Sequence, residues 1–289
     1  MALNLTVVNQ EIGPVVHHYT WRDVILYALG VGAGFGELPY VYEKDLKVIP
    51  TFSVATIMDF FFVAAKEVNI NLSGILHGGQ ELIFHRHLPT SGSFKTTGRI
   101  THVYDKKEKG AVIIVQSETR QDDGEPLFTA IFSIFSRFDG SFGGEDMVQQ
   151  RTTLPDREAD FRRADRPADD QPLLYRLSGD YFSLHVDPEF ARHAGFEKPI
   201  MHGLCTLGYA CRALLAVFIP GAPEKVRRLK CRFTRPLYPG DPIETLIWKT
   251  DEGQALWRTR NVKTGETVID GGELEFDGSN ICGRCEESS

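Results

Sequence analysis

Two stretches of the chain carry the same succession of hydrophobic and polar positions, with a polar middle between them. WRDVILYALGVGAGFGELPY (Trp21–Tyr40) parallels QPLLYRLSGDYFSLHVDP (Gln171–Pro188), with Tyr27 opposite Tyr175. Each is followed by a proline-led helix start, VIPTFSVATIMDFFFVAA from Val48 and KPIMHGLCTLGYACRALLAVF from Lys198. Strand-like segments of basic and aromatic character come next, ELIFHRHLPTSG from Glu81 and LKCRFTRPLYPGD from Leu229. The order matches and the offset stays at about 148 residues, which is the signature of a duplicated domain.

Each half then closes in strands. FKTTGRITHVYD, GAVIIVQSETRQDDG and PLFTAIFSIFSRF in the first half alternate apolar and polar residues, as do PIETLIWKTDEG, QALWRTRNVKTG and ETVIDGGELEF in the second. Asp123–Gly124, Glu252–Gly253 and Thr264–Gly265 mark turns between them. The segment Leu204–Phe218 is apolar almost all round, which predicts a buried helix. An antiparallel sheet wrapped around a long buried helix is the hot-dog arrangement. The expected fold is therefore α+β, with two hot-dog repeats in one chain. The boundaries read as a first repeat over 1–138, a linker over 139–172 rich in Gly, Asp and Arg, a second repeat over 173–277, and a tail over 278–289.

Bulk properties narrow the function. A net charge of −7 over 289 residues offers no basic field for nucleic acid. The most apolar stretch, Phe60–Ala65, is short and flanked by Asp59 and Lys66, so no membrane span or membrane partner is predicted. MALNLTVVNQ lacks a signal-peptide pattern, and EESS is not the peroxisomal tripeptide SKL, so the cytoplasm is the expected compartment. Of the five cysteines, Cys205, Cys211 and Cys231 read as core residues. Cys282 and Cys285 form a CxxC without a second pair, which suits a loose tail better than a metal site.

The chemistry concentrates between Tyr175 and Ala191. Gly179 and Asp180 sit where a helix or turn ends, and His185 follows five residues later. Asp187 and Pro188 suit the cap and first residue of the next helix. A carboxylate and an imidazole on one tight turn can converge on a single water and supply both a base and an acid. Taken alone, the pair reads more readily as a capping Asp and a surface His. The corresponding positions in the first half are Gly32 and Glu37, so the scaffold itself does not require Asp and His there. His202–Gly203 opens the buried helix, whose free N–H groups could hold a developing enolate oxygen. The first half has Phe52 or Ser53 at that place.

The segment resembles the hydratase 2 signature of MaoC-like enzymes, including the hydratase domain of peroxisomal multifunctional enzyme type 2. Tyr175, Leu177, Ser178, Gly179, Asp180, Leu184, His185 and Ala191 fit the pattern. The likeness runs from YALGVGAG to GGELEF and includes Ser141–Gly144. It implies reversible hydration of trans-2-enoyl-CoA to (3R)-3-hydroxyacyl-CoA, a lyase activity of fatty acid metabolism. Coenzyme A is then part of the substrate, and neither a separate cofactor nor a metal is expected. The resemblance gives Asp180 and His185 the acid/base work and Gly203 the oxyanion amide. It adds acyl-CoA contacts at His77, Gly78, Lys106 and Phe233, and a substrate-side setting for Tyr181, Phe182, Ser183 and His202. It also implies an N-terminal half opened for a bulky acyl chain, and a homodimer is common in the family.

The chain departs from the signature where its Asn and Pro are Phe182 and Ser183. Phenylalanine brings neither the donor nor the acceptor that Asn would give the water. Either Tyr181 or Ser183 then takes over that hydrogen bond, or the site is tuned for an unusual acyl group that stacks on Phe182. Two other readings stay open: a hot-dog thioesterase using Asp180 alone, and an acyl-CoA binder without catalysis. Arg227, Arg228, Lys230, Arg232 and Arg235 crowd one segment, where they read either as contacts to the phosphates of coenzyme A or as a solvated strand face.

Overall fold

Burial alternates along the strands as the sequence pattern requires. In β4 (Ala111–Gln121) the residues Ala111, Ile113, Val115, Ser117 and Thr119 turn inward, and in β5 (Pro126–Ser136) Phe128, Ala130, Phe132 and Ile134 do so. The computed structural model describes residues 2–148 and 151–278. Eight further strands complete the set: β1 (Ile12–Tyr19), β2 (Ile75–Phe84), β3 (Gly92–Asp105), β6 (Phe161–Asp165), β7 (Val226–Phe233), β8 (Ile243–Asp251), β9 (Gln254–Asn261) and β10 (Thr267–Phe276).

Among the described residues these strands form one antiparallel sheet in the order β1-β3-β4-β5-β2-β7-β10-β9-β8-β6. Read outward from the middle, the two halves repeat the same order, β2-β5-β4-β3-β1 and β7-β10-β9-β8-β6. This is the double hot-dog. The seam between the repeats is the β2–β7 pairing, in which Leu82 faces Leu229 and Ile83 faces Arg228.

The mirrored order changes one boundary. The segment 139–172, expected to be a linker, contains β6, which pairs with β8 through Phe161–Ile247 and Asp165–Ile243. By topology β6 is the counterpart of β1, so the second repeat begins with it. It carries no alternation to be read because it is an edge strand: Phe161, Arg162, Arg163 and Ala164 are all exposed.

The helices lie against the sheet. They are α1 (Trp21–Gly30), α2 (Leu38–Val41), α3 (Phe52–Thr56), α4 (Met58–Glu67), α5 (Gln171–Tyr175), α6 (Pro188–His193) and α7 (Gly203–Phe218). The apolar segment from Leu204 forms the unbroken helix α7, which buries Leu204, Leu207, Leu214, Leu215 and Phe218. Each such side chain contributes roughly 1.5–3 kcal/mol by leaving water. Its counterpart in the first repeat is split at Ile57 into α3 and α4, within a run of β-branched residues that suits a helix less well. One core joins both repeats, and a satellite cluster forms around Leu184, Ala191, Ala194 and Ile200. Cys205, Cys211 and Cys231 are buried free thiols. Cys282 and Cys285 lie outside the described residues. No helix among the described residues is long and apolar enough to cross a membrane.

Candidate active site

Gly179 ends a short turn with φ of +117°, a conformation that a side chain would strain. The chain then reverses through Asp180 into the tight turn Ser183–His185. Asp187 caps α6 by accepting from the N–H groups of Glu189 and Phe190, which fixes the far end of the loop. The loop thereby turns Asp180 and His185 into a cavity of about 700 Å³.

The histidine state follows from its partner. His185 Nδ1 lies 2.9 Å from the Ile200 carbonyl oxygen. A carbonyl only accepts, so Nδ1 carries the proton and Nε2 keeps its lone pair. Burial holds His185 below the ordinary histidine range, with Asp180 pulling it back up in part. Burial also raises Asp180 above the usual carboxylate range, offset by His185 and by the Phe182 N–H. The two environments bring the pair's pKa values toward each other, as a proton-sharing acid and base need.

His202 completes the cluster from below. Its ring stacks on His185 with centroids 3.7 Å apart, and its Nε2 donates to the Asp180 carbonyl oxygen at 3.2 Å. Among the described residues, Asp180, His185 and His202 each place one potential ligand atom within 4.8 Å of the others. His185 Nε2 and His202 Nδ1 keep the lone pairs of this trio, since the other two ring nitrogens donate to the carbonyls of Ile200 and Asp180.

Gly203 is the first residue of α7, and no side chain caps that helix. Its N–H is one of the unpaired donors at the positive end of the helix dipole. A Cβ at Gly203 would stand 3.2 Å from the Phe233 ring, which packs against the bare face. His77 and Gly78 sit at a bulge in β2 between His77 and Gly79. The His77 ring donates from Nε2 to the Gly79 carbonyl oxygen at 3.0 Å and meets Phe233 edge to face. Burial lowers its pKa to about 4.

The structure thus brings together Asp180, His185, Gly203, His77, Gly78, Phe182 and Phe233 on one cavity wall. His202 lies behind that wall, at 1 % exposure, and is not on the substrate side. Lys106 is outside the lining and pairs with Asp146. Tyr181 is 56 % exposed under the Arg176 guanidinium, and neither it nor Ser183 lines the cavity, so neither stands in for the missing Asn. The Phe182 ring lines the cavity and packs edge to face on Phe190.

The basic segment divides. Lys230, Arg232 and Arg235 reach the cavity with Arg151, although each of the three also pairs with a carboxylate, Glu273, Asp270 and Glu266 in turn. Arg228 is held by Glu81, Glu273 and Glu275, and Arg227 by Asp277. The sequence reading missed the apolar wall given by the first repeat, which includes Met58, Phe61, Phe62, Leu72, Phe132 and Phe135. The half-exposed Phe62 in the MDFFFVAA run was the available signal.

Comparison with known proteins agrees with this geometry. Residues 17–138 match the MFE-2 hydratase 2 N-terminal domain, and residues 150–271 match the MaoC like domain. The chain is 37% identical over 276 residues to a probable enoyl-CoA hydratase 2 from Dictyostelium discoideum, covering 92% of this chain and 94% of that one. It is 36% identical over 288 residues to 3-hydroxyacyl-thioester dehydratase Y from Mycobacterium tuberculosis, covering 96% and 99%. A MaoC-like dehydratase from Phytophthora capsici superposes with a TM-score of 0.86 at 28% identity, over 96% of this chain and 98% of that one. With both domain models matched in order and the Asp–His pair facing a shared cavity, the chain belongs to the MaoC-like hydratase 2 family.

Proposed function

We propose that the chain hydrates trans-2-enoyl-CoA reversibly to (3R)-3-hydroxyacyl-CoA, with Asp180 and His185 as the acid/base pair. The observation that carries this is the free Nε2 of His185 beside the Asp180 carboxyl, in a cavity that also holds the open N–H end of α7. Water loses a proton to His185 Nε2 as its oxygen bonds to the β-carbon. The imidazolium is stabilised by Asp180, and the enolate oxygen that develops accepts from Gly203 N–H. One proton then passes from the pair to the α-carbon, which restores the starting state. Both additions come from one face because both groups sit on one loop.

Two groups of contacts place the substrate. The apolar side, with Met58, Phe61, Phe62 and Leu72 from the first repeat, receives the acyl chain. Arg151, Lys230, Arg232 and Arg235 meet the phosphates of coenzyme A. His77 and Phe233 flank the thioester end. The reaction uses no metal and no cofactor beyond the coenzyme A of the substrate. We assign the chain to the cytoplasm, as a homodimer without nucleic-acid or membrane partners.

The test is to give the purified protein crotonyl-CoA and trans-2-decenoyl-CoA and follow both the conjugated absorbance and free thiol. Loss of absorbance without thiol is expected, with (3R) product by chiral analysis. Thiol release, or binding without either change, overturns the reading.

A further inference from the structure

His202 is the one member of the cluster that cannot meet substrate, since it is 1 % exposed and absent from the cavity lining. It nevertheless touches each part of the machinery. Its ring lies on the His185 ring at 3.7 Å and 28°. Its Nε2–H donates to the carbonyl oxygen of Asp180, across 22 residues of chain. Its own backbone caps α7, so the next residue is Gly203. The Tyr175 ring also packs against it, with centroids 4.8 Å apart.

The protonation state is fixed as well. Donation from Nε2 to a carbonyl makes Nδ1 the bare nitrogen, and Nδ1 has no hydrogen-bond partner though it is buried. An unpaired buried acceptor is unfavourable, and an apolar side chain at this position would present none. The charged and titratable groups facing it are Asp180, His185, Arg176 and Tyr175. Burial, then His185, then Arg176 keep it neutral.

We propose that His202 is a positioning residue for the acid/base pair, holding the His185 ring by stacking and the Asp180 main chain by its hydrogen bond, so that both face the water in register with Gly203. This rests on the hydratase reading of the same site. The stack stops His185 from rotating about its bond to Ile200, and the donor stops the Asp180 turn from opening. A displacement of ~1 Å in either is enough to cost ~10²-fold in rate.

Three variants separate the two arms. His202→Gln keeps a donor and loses the ring, His202→Phe keeps a ring and loses the donor, and His202→Leu loses both. Circular dichroism and thermal melts establish folding. In folded protein, kcat for crotonyl-CoA is expected to fall ~10²-fold in the Leu variant, with KM within about twofold. The Gln and Phe variants each restore part of the loss. In nitrogen-15 NMR, His185 of the wild type is expected in the single Nδ1–H tautomer, and in the Leu variant as a mixture. Wild-type kcat in the folded Leu variant, a loss confined to KM, or an unchanged His185 tautomer overturns the proposal. If the Leu variant does not fold, the Gln and Phe variants decide by the same readouts. A wild type inactive on every enoyl-CoA would end the hydratase reading, and the tautomer comparison would still decide whether His202 orders His185.

Discussion

Gly32 lies directly beneath Tyr209: a Cβ there would stand 2.4 Å from Tyr209 Cε1. Gly32 is also the position in the first repeat that corresponds to Asp180. A ring from α7 thus fills the place in the first repeat that Asp180 takes in the second. Its counterpart of His185, Glu37, accepts instead from the Arg212 guanidinium, which also reaches Asp165 on β6.

A second active site therefore cannot be restored by grafting. Gly32 has φ of +84°, so Gly32→Asp adds backbone strain to overpacking. The expected cost is about 3 kcal/mol. Denaturant unfolding should show the loss, and the hydration rate per folded molecule should not rise. A folded variant with doubled turnover would contradict this account of the first repeat.

Asp180→Asn should abolish hydration and stabilise the protein together. Burial disfavours the carboxylate, so its neutral replacement removes a penalty that the folded state bears near neutral pH. The kcat should drop at least ~10²-fold, as expected for loss of an acid/base group. The midpoint of thermal unfolding at pH 7 should rise. His185→Gln should show a similar loss of kcat, and retention of near-full rate by either variant would refute the site.

Acid should weaken the fold earlier than carboxylate titration alone would. Burial lowers the pKa of His77 to about 4 and also lowers those of His185 and His202. Unfolded histidines bind protons below about pH 6.5, which the folded ones resist. Their contribution is thus full above that pH and is lost as the pH falls towards the folded values. Asp180, with its raised pKa, acts in the opposite sense and gives stability back as it protonates. Melting midpoints should decline from pH 6.5 to pH 4, with the slope reduced in a His77→Phe variant. Hydration, which needs neutral His185, should persist below the ordinary histidine midpoint.

Phe182→Asn tests the departure from the family signature. The ring belongs to the cavity wall and to the satellite cluster with Phe190. Its removal should raise KM for decenoyl-CoA about tenfold more than for crotonyl-CoA, as loss of one apolar contact surface requires. An equal effect on both substrates would place Phe182 away from the acyl path.

The duplication, the buried helix and the place of the Asp180–His185 loop on the cavity could all be read from the chain because each leaves a periodic or asymmetric trace. Leu204–Phe218 is apolar almost all round, and Asp180 and His185 stand against Gly32 and Glu37. β6 left none, since an edge strand buries too little to force alternation. The split of the first central helix at Ile57 was hidden in a stretch, TFSVATIMDFFFVAA, that has no glycine or proline to mark it. Lys106 was carried over by likeness alone, and the ion pair with Asp146 that occupies it depends on a partner forty residues away. The role of Tyr181 and Ser183 failed on direction, because adjacent residues on a tight turn point to different sides.

The β2–β7 seam has a consequence for how this chain can change. It welds two unlike partners into a permanent heterodimer encoded by one reading frame. The proposed acid/base loop belongs to one partner and most of the proposed acyl wall to the other, so each can drift under its own selection. A new acyl preference can arise through Met58, Phe61 or Leu72 without disturbing the loop that moves protons. In a symmetric pair of identical subunits every such change would strike the catalytic copy as well.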